Sequence, residues 1–325
     1  MGYKPKGVSE IRMLNAQQAG EQVKQLETEF FTINGMSAQQ LMPYPEDLFK
    51  EPAQPWKEYD GLSVEDRLAQ MDIRLDDKDF LQAHLGSISS APASAVAFTA
   101  ALEIYALSGY SMASMRTASG TFKFGHGGMT NLARKILDGF SGDRIFDTKN
   151  VHFDPPLSRL RQEALAAGHL NKGAKIHDSI AETQSPWFCN TADSVTSDLL
   201  FVFSDHNGTQ IVGSNGTFAI GFAFNDDKLG DRTDDAAVQR AIHSLKPHVT
   251  LRGYLSHAWE TDSLAKGTWY CGSPNSNIRY HQGLQKPHGR VIMASAGWAD
   301  GWRGFVDGAI EQGSQSARDV ATALA

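Results

Sequence analysis

Cysteine is nearly absent from this chain. The two present, Cys189 and Cys271, stand far apart, which excludes a disulfide-stapled scaffold and a cysteine metal cluster and predicts buried or free thiols. Long apolar runs are missing as well. No stretch of about eighteen apolar residues is available to cross a bilayer, and Met1-Gly2-Tyr3-Lys4-Pro5-Lys6 has no apolar core behind it to serve as a signal peptide, so the expectation is a cytoplasmic protein without membrane contact. Positive charge is not in excess: 30 Lys and Arg stand against 37 Asp and Glu, a formal net charge of -7 and a pI near 5.9. Scattered basic residues create no field for a polyanion, which discounts nucleic acid as a partner. The 11 histidines show no His-x-His or His-Glu-x-x-His spacing, so no metal site is expected. Two glycine motifs are lacking too, the Gly-x-Ser-x-Gly elbow of serine hydrolases and the Gly-x-Gly-x-x-Gly turn that cradles dinucleotide phosphates between a strand and a helix.

What is present is chain enough for a large core: 325 residues fill one large domain or two. Ala19, Val23, Leu26 and Phe30 recur at helical spacing within 16–31, and a proline-rich passage from Met42 to Pro55 then reads as extended loop. Ser63, followed by Glu65 and Asp66, predicts a helix start. Further helical stretches are expected near 78–89, 94–108 and 157–170, with Thr130 capping a helix that ends at Gly139. The later runs 199–203, 209–212 and 217–222 read as strands of an antiparallel sheet. Asn207-Gly208 and Asn215-Gly216 suit its hairpin turns better than glycosylation. Thr233 is placed as the cap of a helix running to Ser244. The fold class is α+β, helices with a mixed or antiparallel sheet, in four stretches: a helix and proline-rich loop over 1–58, a helical part over 59–140, a sheet-rich part over 141–290 and a strand-turn-helix over 291–325.

That last stretch organises the rest. Val291-Ile292-Met293 reads as a strand that passes through a glycine-rich turn into an apolar-periodic segment ending near Leu324. Such a turn leaves backbone N–H groups at a helix start, where they favour a phosphate or another electron-rich group. The same glycines, Gly304 and Gly308, with the small Ala309, equally allow a helix to lie close to a neighbour with no ligand at all.

Gly301-Trp302-Arg303-Gly304-Phe305-Val306-Asp307-Gly308-Ala309 resembles the C-terminal flavin-contacting segment of the flavin-dependent amine oxidases, in particular the fungal monoamine-oxidase type. Gly267-Thr268-Trp269-Tyr270-Cys271-Gly272-Ser273-Pro274 resembles that family's second signature, in which an aromatic residue forms one wall of the substrate cage. The similarity runs from about Tyr59 to Leu324 and includes Gly127-Gly128 and Phe153-Asp154-Pro155-Pro156. It implies FAD as cofactor, oxidation of the CH–NH group of a small amine with oxygen as acceptor, and a sheet flooring the substrate cavity. Trp269 and Phe305 would be the two cage aromatics, and Lys175 the lysine near flavin N5. Flavin contacts would fall to Trp259, Ser295, Ala296, Gly304, Phe305, Val306 and Ala309. Departures from the pattern are the absent dinucleotide cradle, the loss of strands between Phe140 and Phe153, and Gly297 where the family commonly has an acidic residue. Two other readings therefore stand beside the oxidase. One is a flavin-free descendant using the cavity for a non-redox reaction, such as cyclisation, of an amine-bearing or apolar molecule. The other is a non-catalytic subunit completed by a flavoprotein partner, or a homo-oligomer that covers an open sheet edge.

Overall fold

A sheet of seven strands and the helices beside it hold two apolar clusters in the computed structural model, which describes residues 1–43, 54–114, 127–148, 151–168, 170–204, 216–225, 229 and 232–325. The strands are β1 (Gly2–Lys4), β2 (Arg12–Met13), β3 (Lys175–Ile180), β4 (Phe188–Thr191), β5 (Leu199–Ser204), β6 (Thr217–Ala223) and β7 (Leu251–Ser256), in the spatial order β2-β1-β4-β5-β6-β3-β7. Every neighbouring pair is antiparallel except β1 beside β4. Of the expected mixed or antiparallel alternatives the sheet is the mixed one, through the parallel pairing of β1 with β4. The expected strand at 209–212 and the turns at 207–208 and 215 lie outside the described residues.

Alternation along β3 assigns the two faces of the sheet. Ile176 and Ile180 point into a cluster with Leu199, Val202, Ala219 and Ala223, which is closed by Val238, Ala241, Ile242 and Leu245 on and after helix α8. Lys175 and His177 point to the other face, beside Phe222 and Ile220 of β6.

The helices precede and flank this sheet. They are α1 (Ala16–Phe30), α2 (Ala38–Leu41), α3 (Val64–Gln70), α4 (Leu75–Leu85), α5 (Phe98–Leu107), α6 (Gly128–Asp138), α7 (Arg159–Ala167), α8 (Asp235–His243), α9 (Ser276–Gln285) and α10 (Val306–Leu324). Helix α1 buries Ala19, Val23, Leu26 and Phe30 as its spacing requires. Ser63 and Asp66 form a reciprocal capping box at the start of α3. Around Phe98 the aromatic rings of Phe30, Phe31, Tyr59 and Tyr105 interlock, with Phe31 stacked on Tyr105 at 4.1 Å.

Three local expectations are corrected. Gly127, at φ 84°, caps α6, and Thr130 lies inside the helix. Asp234 rather than Thr233 caps α8, its carboxylate accepting from the Ala236 N–H. Val291-Ile292-Met293 forms no strand: a single bridge joins Val291 to His288, and the chain continues irregularly to a short 3-10 turn at Ala296–Trp298. An apolar triplet with no partner strand cannot satisfy its backbone by itself. The proline-rich passage lies outside the described residues from 44 to 53, and Pro55 opens a 3-10 turn to Tyr59.

Candidate functional site

Lys175 and Trp269 come together on the face of the sheet opposite α8. They meet through Phe222, which sequence reasoning did not single out. Register places Phe222 beside Lys175 across β3 and β6, and the Lys175 Nζ stands 5.5 Å from the Phe222 ring centroid. Trp269 meets the same ring edge-on at 5.8 Å. Its indole Nε1 donates to the Ile88 carbonyl at 3.0 Å, so the ring orientation is fixed from both sides. Behind Phe222 lies Phe201, stacked at 4.6 Å and continued by Phe188 and Phe203. This floor is aromatic because each ring occupies an outward-alternating position on its strand. No short motif reveals it, since the rings converge only through strand register.

The remaining predicted residues surround this centre at different removes. The Ser256 hydroxyl donates to the Lys175 carbonyl at 2.9 Å. Three residues on, Trp259 is 44% exposed and packs against His257 at 4.3 Å. Gly304 has φ +79°, and a β-carbon there would stand 3.2 Å from the Tyr270 carbonyl oxygen, so the C-terminal turn lies directly against the Trp269–Tyr270 segment. Phe305 is the N-cap of α10, is 42% exposed and packs on Trp302 at 5.4 Å. No ring contact joins Phe305 to Trp269 among the described residues. Ser295 caps the short turn over Ala296–Trp298, while Val306 and Ala309 are exposed on α10.

A buried polar cluster fastens the turn. Arg303 lies 3.5 Å from Glu103 of α5, donates to Asn277 of α9 and to the Ala299 carbonyl, and has its guanidinium 5.8 Å from the Tyr270 ring. His281 and Asp300 pair at 2.7 Å beside it. Burial pushes the Glu103 carboxyl up to about 7 even against the pull of Arg303, and burial lowers His281 despite Asp300. Both cysteines are buried and free, their thiols pushed up to about 12 at Cys189 and about 11 at Cys271 by desolvation.

The glycine-rich turn is occupied by its own chain. Gly304 donates to the Ala296 carbonyl, Phe305 to Trp302 and Arg303 to Gly301. The Glu311 carboxylate takes the N–H groups of Asp300 at 2.8 Å and Gly301 at 3.1 Å. The N–H groups of Asp300, Gly301, Arg303, Gly304 and Phe305 are therefore taken, and the expectation of free donors for a phosphate is corrected at those five positions. Close packing accounts for both glycines, since a side chain at Gly308 would run into the Trp302 carbonyl and Ala299. With Glu311 on two of these donors, the turn itself is not a cradle for the diphosphate of FAD.

This arrangement, a mixed sheet with an aromatic face, a helical flank and a C-terminal turn-helix, is the architecture of flavin-linked amine-oxidising enzymes. A putrescine oxidase bound to putrescine superposes with a TM-score of 0.68 at 14% identity, over 99% of this chain and 80% of that one. A cyclohexylamine oxidase from Brevibacterium oxydans gives 0.65 at 13%, over 99% and 80%. Residues 147–321, more than half of the chain, match the family profile of flavin containing amine oxidoreductase, and the chain belongs to that family. It is 27% identical to a pseudooxynicotine dehydrogenase of a Pseudomonas species, over 91% of this chain and 67% of the relative. To a nicotine dehydrogenase of Pseudomonas putida it is 26% identical, over 53% of this chain and 34% of that protein. Among the described residues no helix is long and apolar enough to cross a membrane, and no cluster of three metal-ligating side chains occurs.

Proposed function

We propose that the chain binds and orients the substrate of an amine oxidoreductase acting on the CH–NH group of a small amine with an apolar body. The observation that carries this reading is the convergence of Lys175 and Trp269 on the Phe222 ring. Aromatic faces there take up the carbon skeleton and exclude water. A dehydrated surrounding and the nearby Lys175 ammonium both disfavour a second positive charge, so the bound amine is held as the free base. Its lone pair and the adjacent C–H are then presented in one orientation, which is the state from which a C–H bond next to nitrogen is oxidised. The amines in the relatives' names, pseudooxynicotine, nicotine and putrescine, support this substrate class.

Since the turn is not a cradle for the diphosphate of FAD, no redox step is derived through that group. The internally bonded turn at Asp300–Phe305 favours a second reading, in which the aromatic face works without a flavin of its own, for a non-redox reaction or as one subunit of a larger enzyme. Purified protein incubated with FAD and pseudooxynicotine separates the two. Retained flavin absorbance with amine-dependent peroxide confirms an oxidase using oxygen, and turnover only with an artificial electron acceptor identifies a dehydrogenase. Protein that retains no flavin yet is stabilised by the amine supports the second reading. Protein that responds to neither ligand refutes both.

A further inference from the structure

From Thr268 to Gly272 every residue is held from outside its own segment. Thr268 donates through both its N–H and its hydroxyl to the Asn171 carbonyl, at 3.0 Å and 3.1 Å. Trp269 donates to Ile88, Cys271 is hydrogen-bonded to Ser89, and the Gly272 carbonyl accepts from the Ala97 N–H at 2.9 Å. These attachments are uncharged. Tyr270 differs, because the group over its ring is the buried guanidinium of Arg303, and the turn that carries this arginine packs on the Tyr270 backbone through Gly304.

A balance of charges sets where that guanidinium sits. Glu103 of α5 attracts it from 3.5 Å, and Asp300, bonded to His281, attracts it as well. No water screens these charges in the interior, so losing one of them changes the balance strongly. Facing Glu103 are Arg303, Asp300 and Glu311, with Tyr270 and Cys271 close by. Asp60 lies beyond, joined to Asn277 through Thr99. Burial raises Tyr270 and Cys271 and lowers His281, so none of these three changes charge where Glu103 does.

We propose that Arg303 and Glu103 are a positioning pair for the substrate wall, holding the Tyr270 ring, and with it the neighbouring indole of Trp269, in the amine-binding orientation while Glu103 is ionised. This role rests on the reading of Trp269 as that wall. Both residues act through Tyr270 rather than by touching the amine. Burial, opposed by Arg303, sets the Glu103 carboxyl at about 7, so the wall is ordered above that pH and relaxes below it.

Fluorine NMR of the full chain labelled with fluorotryptophan tests this without a ligand, the Trp269 line being assigned with Trp269→Phe. The expected result is a step in that line between about pH 6 and about pH 8, which Glu103→Gln abolishes by leaving the line at its acidic position. Asp178→Val removes the other carboxyl that burial raises to about 7 and should keep the step. Arg303→Lys keeps the charge without the guanidinium fork and should displace the line at about pH 8. Affinity for pseudooxynicotine, compared between wild type and Glu103→Gln at one pH so that the amine's own ionisation cancels, should be equal at about pH 6 and at least about fivefold weaker in the variant at about pH 8. A wild-type line indifferent to pH, a step that survives Glu103→Gln, or a line that neither variant moves at about pH 8 would overturn the proposal. A step that follows Glu103 in a chain binding no amine would instead refute the reading of Trp269 and leave the coupling of the pair to the ring standing.

Discussion

Replacing Arg303 with methionine removes a guanidinium that ties the C-terminal turn to α5 and α9. Glu103 then loses its cation at 3.5 Å, its other carboxylate oxygen is buried and already without a hydrogen bond, and the Ala299 carbonyl and Asn277 lose their donor. Breaking one side of a buried ion pair costs about 3–5 kcal/mol, mostly because the surviving charge has nowhere to go. The deficit should depend on pH. With Arg303 gone, burial and the nearby Asp300 and Glu311 carboxylates all push Glu103 the same way, so its carboxyl titrates above the value of about 7 that it has beside the guanidinium. Protonation relieves the stranded charge in acid, and Arg303→Met is expected to be more destabilising at about pH 8 than at about pH 6. Guanidinium-induced unfolding, followed by the fluorescence of Trp298 and Trp302, measures both values. Pairing Arg303→Met with Glu103→Leu should recover most of the loss, since a buried ion pair exchanged for apolar groups is often neutral. A single variant costing less than about 1 kcal/mol, or a double variant as unstable as the single, would refute the view that this pair holds the turn.

Other outcomes are expected elsewhere. Asp178 is buried among Ile176, Ile180 and Leu199 on the α8 face, neither carboxylate oxygen has a partner, and burial raises it from 3.8 to about 7. The folded state therefore keeps a proton that the unfolded chain releases, and stability falls as pH rises from about 4 to about 7. Asp178→Val should abolish that decline, a gain on the order of a few kcal/mol above pH 7, and unchanged pH dependence in thermal melts would show Asp178 to be paired in solution. Gly304→Ala forces a side chain into φ +79° against Tyr270 and should cost about 1–2 kcal/mol, visible as a lower melting temperature. Ser63→Ala removes half of the capping box at α3, for a loss of about 1 kcal/mol in denaturant titration.

Helices whose stop and start signals are local were legible in the sequence. The apolar spacing of α1 and the Ser63–Asp66 cap describe interactions three or four residues apart, which a linear reading captures. The triplet at 291–293 misled because three apolar residues specify a strand only when another strand lies beside them, and here Met293 instead lies beside Arg161 of α7. In the candidate site, Trp269 and Lys175 were visible through family motifs, whereas Phe222, the ring between them, belongs to no motif and is placed by register across two strands. Glu103 and Arg303 are separated by two hundred positions, and neither has a local pattern that signals burial or pairing. The glycine-rich turn was visible, but the side chain on its N–H groups, Glu311, lies ten and eleven residues further on and reads in sequence as an ordinary surface acid.

On the proposed function, one aromatic wall, held between Phe222 and the Ile88 carbonyl, binds the amine. Calorimetric titration of pseudooxynicotine into the wild-type chain and into the Trp269→Ala chain tests it most directly. Saturable binding that weakens at least tenfold, about 1.4 kcal/mol, on loss of the indole, with unfolding otherwise unchanged, is the predicted result. Equal affinity in the two proteins would contradict it and remove Trp269 from the site.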